Sequence, residues 1–247
     1  MKLIKKNKLP ASFCGADVKL SAMGAFRIVE DMVTELMGDL RIDGVTCMKE
    51  YGAMWVFVRN RIEMREPIGW MEEYTATSYI SSFSRIRLYI DTVLEKNDGT
   101  VALASRLELC ALDLETGKIR KSDTVGVGEK TLPEDAMIDI AYSKAKPVRA
   151  ELLDEVTVRA TDIDYCYHTN NISYVGYILN QYEVDQLVER PVRAIEMQYA
   201  GQTHEGDVLK IYRCVSGETG TRGINGITNA FTIEHDGTKA VSCLIER

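Results

Sequence analysis

Residues 160–174 read Ala160-Thr161-Asp162-Ile163-Asp164-Tyr165-Cys166-Tyr167-His168-Thr169-Asn170-Asn171-Ile172-Ser173-Tyr174. A carboxylate, a thiol and an imidazole thus follow one another at two-residue steps, just ahead of a stretch with helical spacing. On extended backbone, residues two apart face the same side at steps of roughly 7 Å. Asp164, Cys166 and His168 can therefore line one site, although a turn must intervene before the helix. Hydrolysis of an acyl group needs a base or nucleophile at the carbonyl and donors for the oxyanion that forms. Asp164 and His168 supply the first. The backbone N–H groups of the turn at Asn170 to Ile172, at the start of the helix, are aimed donors for the second.

Each of these residues also has a simpler role. Asn170 or Asn171 is an ordinary helix cap, Asp164 can end a strand, and a single histidine is by default a satisfied structural one. Cys166 reads as a small half-buried residue, because nothing in the sequence lowers a thiol pKa. A Cys166/His168 nucleophilic pair competes with an Asp164-based mechanism. The other two histidines, His204 and His235, fall in strand or hairpin regions, read as surface residues and receive no role. No cluster of His, Cys and carboxylate has metal-ligand spacing, and no glycine-rich phosphate loop follows a strand, so neither a metal nor another cofactor is expected.

The elements that must position this stretch occur twice. Ile62-Glu63-Met64 returns as Ile195-Glu196-Met197, an offset of 133, and Asp98-Gly99-Thr100 as Asp236-Gly237-Thr238, an offset of 138. A third match is one of pattern: a short apolar strand ending near Asp17 or Asp162, a turn, and an amphipathic helix starting after Gly24 or Asn170, an offset of 146. Phe26, Val29, Val33 and Leu36 make one greasy helix face, and Ile172, Val175, Leu179 and Tyr182 the other. Strand composition follows each helix, at 54–64, 74–80, 85–94 and 101–112 in the first half and 193–199, 208–215, 224–234 and 239–245 in the second. Asp98-Gly99 and Asp236-Gly237 sit where tight hairpin turns belong. The expected fold class is α+β, with two tandem domains, each an antiparallel sheet wrapped around a central helix. The expected boundaries are a first domain over 1–128, a linker over 129–149 carrying Pro133 and Pro147, and a second domain over 150–247.

Asp162-Ile163-Asp164 through His168-Thr169-Asn170-Asn171 and Tyr174 resembles the DxDxNxHxNNxxY motif of acyl-acyl carrier protein thioesterases. Trp55-Val56, Arg61 to Pro67 and Arg85 to Ile90 resemble the family's first-half strands, so the resemblance covers nearly the whole chain. It implies a double hotdog fold, catalysis in the second domain and an acyl-chain pocket largely in the first. Asp164 and His168 match the family's catalytic Asp and His. Two positions depart from the plant pattern. Cys166 stands where that pattern has Asn, and Gln202-Thr203 where it has Glu-Cys, so Gln202 cannot be a base and Thr203 cannot supply a thiolate. The expected mechanism has Asp164 as general base or nucleophile with His168 assisting, and Asn170, Asn171, Gln202 and Thr203 binding substrate, water or the oxyanion. An acyl-CoA thioesterase and a non-catalytic acyl-binding module are the alternatives.

Composition narrows the partners. The formal net charge of −7, with both signs interleaved, leaves no basic stripe for nucleic acid. No segment is apolar for long enough to span a bilayer, the start MKLIKKNKLPASF lacks an apolar core of signal-peptide length, and the six scattered cysteines lack a CxxC pair. The expectation is a soluble cytoplasmic protein with reduced thiols. The partner implied by the resemblance is acyl carrier protein, whose acidity would be met by the N-terminal lysines or by Lys144, Lys146 and Arg149. Met23, Met32 and Met37 beside the first helix are candidate lining for an acyl tunnel. Two fused domains suit a monomer, and a homodimer stays open.

Overall fold

The computed structural model describes residues 1–128, 131, 133–144, 147–216 and 228–247, and it divides into two compact units, Met1–Ala141 and Tyr142–Arg247. In unit 1 the chain runs β1 (Lys2–Lys8), α1 (Ala22–Asp39), α2 (Gly44–Tyr51), β2 (Ala53–Met64), β3 (Glu73–Phe83), β4 (Leu88–Lys96) and β5 (Val101–Asp113). Its strands form an antiparallel sheet in the order β1-β3-β4-β5-β2. Unit 2 runs β6 (Pro147–Thr157), α3 (Asn171–Leu179), α4 (Val184–Glu189), β7 (Ala194–Tyr199), β8 (Val208–Ser216), β9 (Thr228–His235) and β10 (Thr238–Glu246). Its order, β6-β8-β9-β10-β7, repeats the first element for element. Both units are hotdog domains of the α+β class.

The helix faces read from the sequence are the buried ones. Phe26, Val29, Val33 and Leu36 of α1 are all at 0% exposure against the sheet, each side chain contributing about 1.5–3 kcal/mol by leaving water. In α3, Val175 and Leu179 are buried, while Ile172 is half-buried. Tyr182 falls beyond the helix end and packs edge-on against Phe231 of β9, ring centroids 5.9 Å apart.

Three expectations are corrected. α1 begins at Ala22 rather than after Gly24, because Ser21 caps it: the Ser21 Oγ accepts the Gly24 N–H at 3.0 Å and donates to the Phe13 carbonyl at 3.0 Å. The strands before the helices end at Lys8 and Thr157, well short of Asp17 and Asp162, and β1 is rich in lysine rather than apolar. The short helices α2 and α4 were not anticipated. α2 had readable signals, with Asp43 accepting the Val45 and Thr46 N–H groups at its start and Gly52 in the left-handed region at its end.

The segment expected as linker divides. Ile138 and Ile140 join Tyr79, Val93 and Ala104 in a buried cluster of unit 1. The Tyr79 hydroxyl accepts the Met137 N–H at 2.8 Å, and Arg106 donates to the Ile140 carbonyl at 2.8 Å. β6 then starts at Pro147. Glu129, Lys146 and the start of the strand expected from Ile224 lie outside the described residues.

Candidate active site

The chemistry-bearing stretch is a tight loop between a 3-10 turn at Ala160–Asp162 and α3. Ile163 and Thr169 pair across its neck, the Asp164 N–H donates to the His168 carbonyl at 2.9 Å, and the Tyr167 N–H donates to the Asp164 carbonyl at 3.1 Å. Tyr167 takes the left-handed conformation (φ 62°) to close it, a strained choice for a residue with a Cβ. The backbone is therefore not extended here, and Asp164, Cys166 and His168 share a site because the loop curls. Asp164 Oδ1 accepts the backbone N–H groups of Cys166 at 2.8 Å and of His168 at 3.3 Å. Its second oxygen makes no hydrogen bond to any described residue.

Asn170 caps α3, its Oδ1 accepting the Ile172 N–H at 2.8 Å. The Asn170 N–H donates to the Asp162 carbonyl, and the Ser173 N–H to the Asn170 carbonyl. That leaves the Asn171 N–H as the first-turn donor without a partner among the described residues. Asp162 is structural, its carboxylate accepting the Arg159 N–H at 2.8 Å.

Thr203 turns inward, at 1% exposure. Its hydroxyl lies 2.6 Å from the Thr169 Oγ1 and 2.7 Å from the Tyr174 hydroxyl, and its carbonyl accepts the Thr169 N–H at 2.8 Å. This buried hydroxyl cluster fastens the 201–207 segment to the start of α3. Gln202, next to it, is exposed.

The fastening brings in a residue that sequence reasoning left without a role. The His204 ring packs edge-on to His168, with centroids 5.2 Å apart and planes at 66°. The charge balance of the site follows from this contact and from burial. Burial lowers the proton affinity of His168, His204 lowers it further, and Asp164 opposes both. His168 is thus biased toward the neutral imidazole, the form that accepts a proton. Cys166 moves the other way for a nucleophile: burial and the Asp164 carboxylate raise its thiol pKa. No group of three or more His, Cys, Asp or Glu among the described residues has a metal-binding arrangement.

Unit 1 contains the same loop without the carboxylate and the imidazole. The Gly15 N–H donates to the Lys19 carbonyl at 2.8 Å, the Val18 N–H to the Gly15 carbonyl at 3.0 Å, Val18 has φ 60°, and the Ser21 N–H donates to the Phe13 carbonyl. Gly15 occupies the place of Asp164 and Lys19 that of His168, an offset of 149 rather than the 146 read from the sequence. Beside this loop, along β1 and α1, lies a cleft of about 230 Å³ lined by Phe13, Ile28, Met32 and Tyr74 with Lys5 and Glu35 also on its wall.

The family model of the acyl-ACP thioesterase C-terminal domain matches residues 145–243. No curated protein matches the sequence. Among solved structures, an acyl-ACP thioesterase from Bacteroides thetaiotaomicron is similar at TM-score 0.85 and 16% identity, covering 99% of this chain and 97% of that one. The 12:0-ACP thioesterase from Umbellularia californica is similar at TM-score 0.76 and 14% identity, covering 99% and 96%. At these identities the likeness is one of fold, and it extends over both units.

Proposed function

We propose that the protein is a thioester hydrolase that releases free fatty acid from acyl-acyl carrier protein, a reading supported by the match of residues 145–243 to the family model of the acyl-ACP thioesterase C-terminal domain. The observation that carries this reading is the loop at 163–169. It holds an Asp164 carboxylate with one oxygen tied to backbone and the other open, close to an imidazole biased toward its neutral form. Asp164 takes a proton from water as the water oxygen bonds to the thioester carbon, or attacks that carbon itself to give an anhydride that water then opens. His168 orients the water. The Asn171 N–H donates to the oxyanion at the positive end of α3. The carbon–sulfur bond breaks as the tetrahedral adduct of water or of Asp164 collapses, and the departing thiolate takes up the proton that water gives in either route. Cys166, held as a thiol, is not the nucleophile.

In this reading unit 1 houses the acyl chain, with Met23, Met32 and Met37 near its path. The cleft in unit 1 is smaller than the roughly 300–1,000 Å³ usual for ligand pockets, so the chain's housing has to extend beyond it. The site calls for no cofactor. Cys14, Cys47, Cys110, Cys166, Cys214 and Cys243 are all free, which fits a reducing compartment such as the cytoplasm. Among the described residues no helix is long and apolar enough to cross a membrane. A second reading, an acyl-binding module without catalysis, is favoured by Gln202 standing where the family pattern has Glu.

The test is a chain-length panel of acyl carrier protein and coenzyme A thioesters, assayed with the wild type, Asp164→Ala and His168→Ala. Hydrolysis by the wild type with about 10²–10⁴-fold loss in each variant is expected, and faster turnover of the carrier-protein esters is expected to set carrier preference. Binding without turnover of any ester would establish the second reading instead.

A further inference from the structure

The sequence contains three histidines, and in the structure they form one line of contacts. His168 meets His204 ring to ring at 5.2 Å. His204 Nδ1 lies 3.9 Å from Asp207 Oδ2, and the same carboxylate oxygen accepts the His204 backbone N–H at 2.9 Å. On the far side of Asp207, His235 Nε2 lies 3.7 Å from Asp207 Oδ1 and 3.4 Å from Asp236 Oδ2. The His235 Nδ1 is 3.2 Å from the Val208 carbonyl, which can only accept, so that nitrogen carries a proton, while Nε2 faces the acids. We propose that His204 is a positioning residue for His168, held in place by Asp207 with His235 buttressing the carboxylate, so that the hydrolytic imidazole is oriented.

Unit 1 is an internal control. The turn is preserved there, with the Gly69 N–H donating to Glu72 Oε2 at 2.7 Å as the His204 N–H does to Asp207. Both imidazoles are missing, Lys19 standing for His168 and Gly69 for His204, and the place of His235 before the hairpin turn is taken by Asn97. The loop that lacks the carboxylate therefore lacks the histidine pair as well. His204 is 58% exposed, so folding does not require an imidazole there. The charged and titratable groups facing the pair are Asp164 and Cys166 from the loop before α3, Asp207 from the turn before β8, and His235 and Asp236 from the β9–β10 hairpin. Of these, only Asp164 appreciably opposes the loss of proton affinity at His168 that burial and His204 produce.

The inference rests on the hydrolase reading, and its test does not depend on turnover. With three histidines, each ring C–H resonance can be assigned by single His→Gln variants and titrated by nuclear magnetic resonance. In His204→Gln the His168 midpoint is expected to rise, because the neighbouring ring that lowers proton affinity at His168 has been removed. In His204→Lys, which keeps a cation at all working pH values, it is expected to fall below that of the wild type. The acid limb of the kcat/KM profile should move in the same direction as the midpoint in each variant. A His168 midpoint unchanged in both variants would overturn the proposal. Movement of the midpoint with no hydrolysis in any form of the protein would leave the pairing standing and remove the hydrolase reading.

Discussion

At the scale of the residue, the candidate site sets in contrast two side chains that the sequence places two apart. Cys166 and His168 share burial and the nearby Asp164, yet burial pushes a thiol toward its protonated, unreactive form and an imidazole toward its neutral, basic form. The two outcomes separate the competing mechanisms. Cys166→Ser is expected to retain hydrolysis within about threefold of the wild type, since the hydroxyl fits the same space. Loss comparable to that of Asp164→Ala would make the cysteine the nucleophile. Steady-state kinetics on the best ester from the chain-length panel reads the difference directly.

At the scale of the element, the two helix starts show how one scaffold is kept while its chemistry changes. Ser21 and Asn170 are both caps, and each helix start is tied back to the 3-10 turn before it, to the Phe13 or the Asp162 carbonyl. The approach is so close in unit 1 that a Cβ on Gly24 would lie 2.3 Å from the Phe13 carbonyl oxygen and 2.8 Å from the Phe13 Cβ. The glycine is needed for space rather than for backbone freedom. Gly24→Ala should therefore destabilise the protein by about 1–3 kcal/mol despite the better helix propensity of alanine. A urea midpoint at or above the wild-type value would show that the turn shifts without cost. In unit 2 the corresponding place holds Ser173, whose hydroxyl lies 3.4 Å from the Asp162 carbonyl, so a side chain is accommodated there.

At the scale of the whole molecule, the chain is a duplicated hotdog in which both units have the loop and unit 2 alone has the carboxylate and the imidazole in it. Unit 1 holds an ion pair with a fully buried carboxylate: Arg106 donates to both Asp91 oxygens, at 2.8 and 2.7 Å, and also holds the Ile140 carbonyl. Asp91→Ala takes from the guanidinium its bidentate carboxylate partner and loosens the segment that ends the unit. The expected cost is about 3–5 kcal/mol in urea unfolding of the whole chain, and a change under about 1 kcal/mol would show that the pair is not needed. The sequence by itself determined the helix faces, most of the strands and the duplication, and it placed Asp164 and His168 in one short stretch ahead of the second helix. Those depend on local periodicity and on residues close in the chain, which tertiary structure has little freedom to alter. Only the tertiary structure decided that Thr203 turns inward, that Ile138 and Ile140 belong to unit 1's core, and that His204 and His235 line up behind His168. These contacts join residues tens of positions apart, and no spacing along the chain records which of them a folded sheet brings face to face.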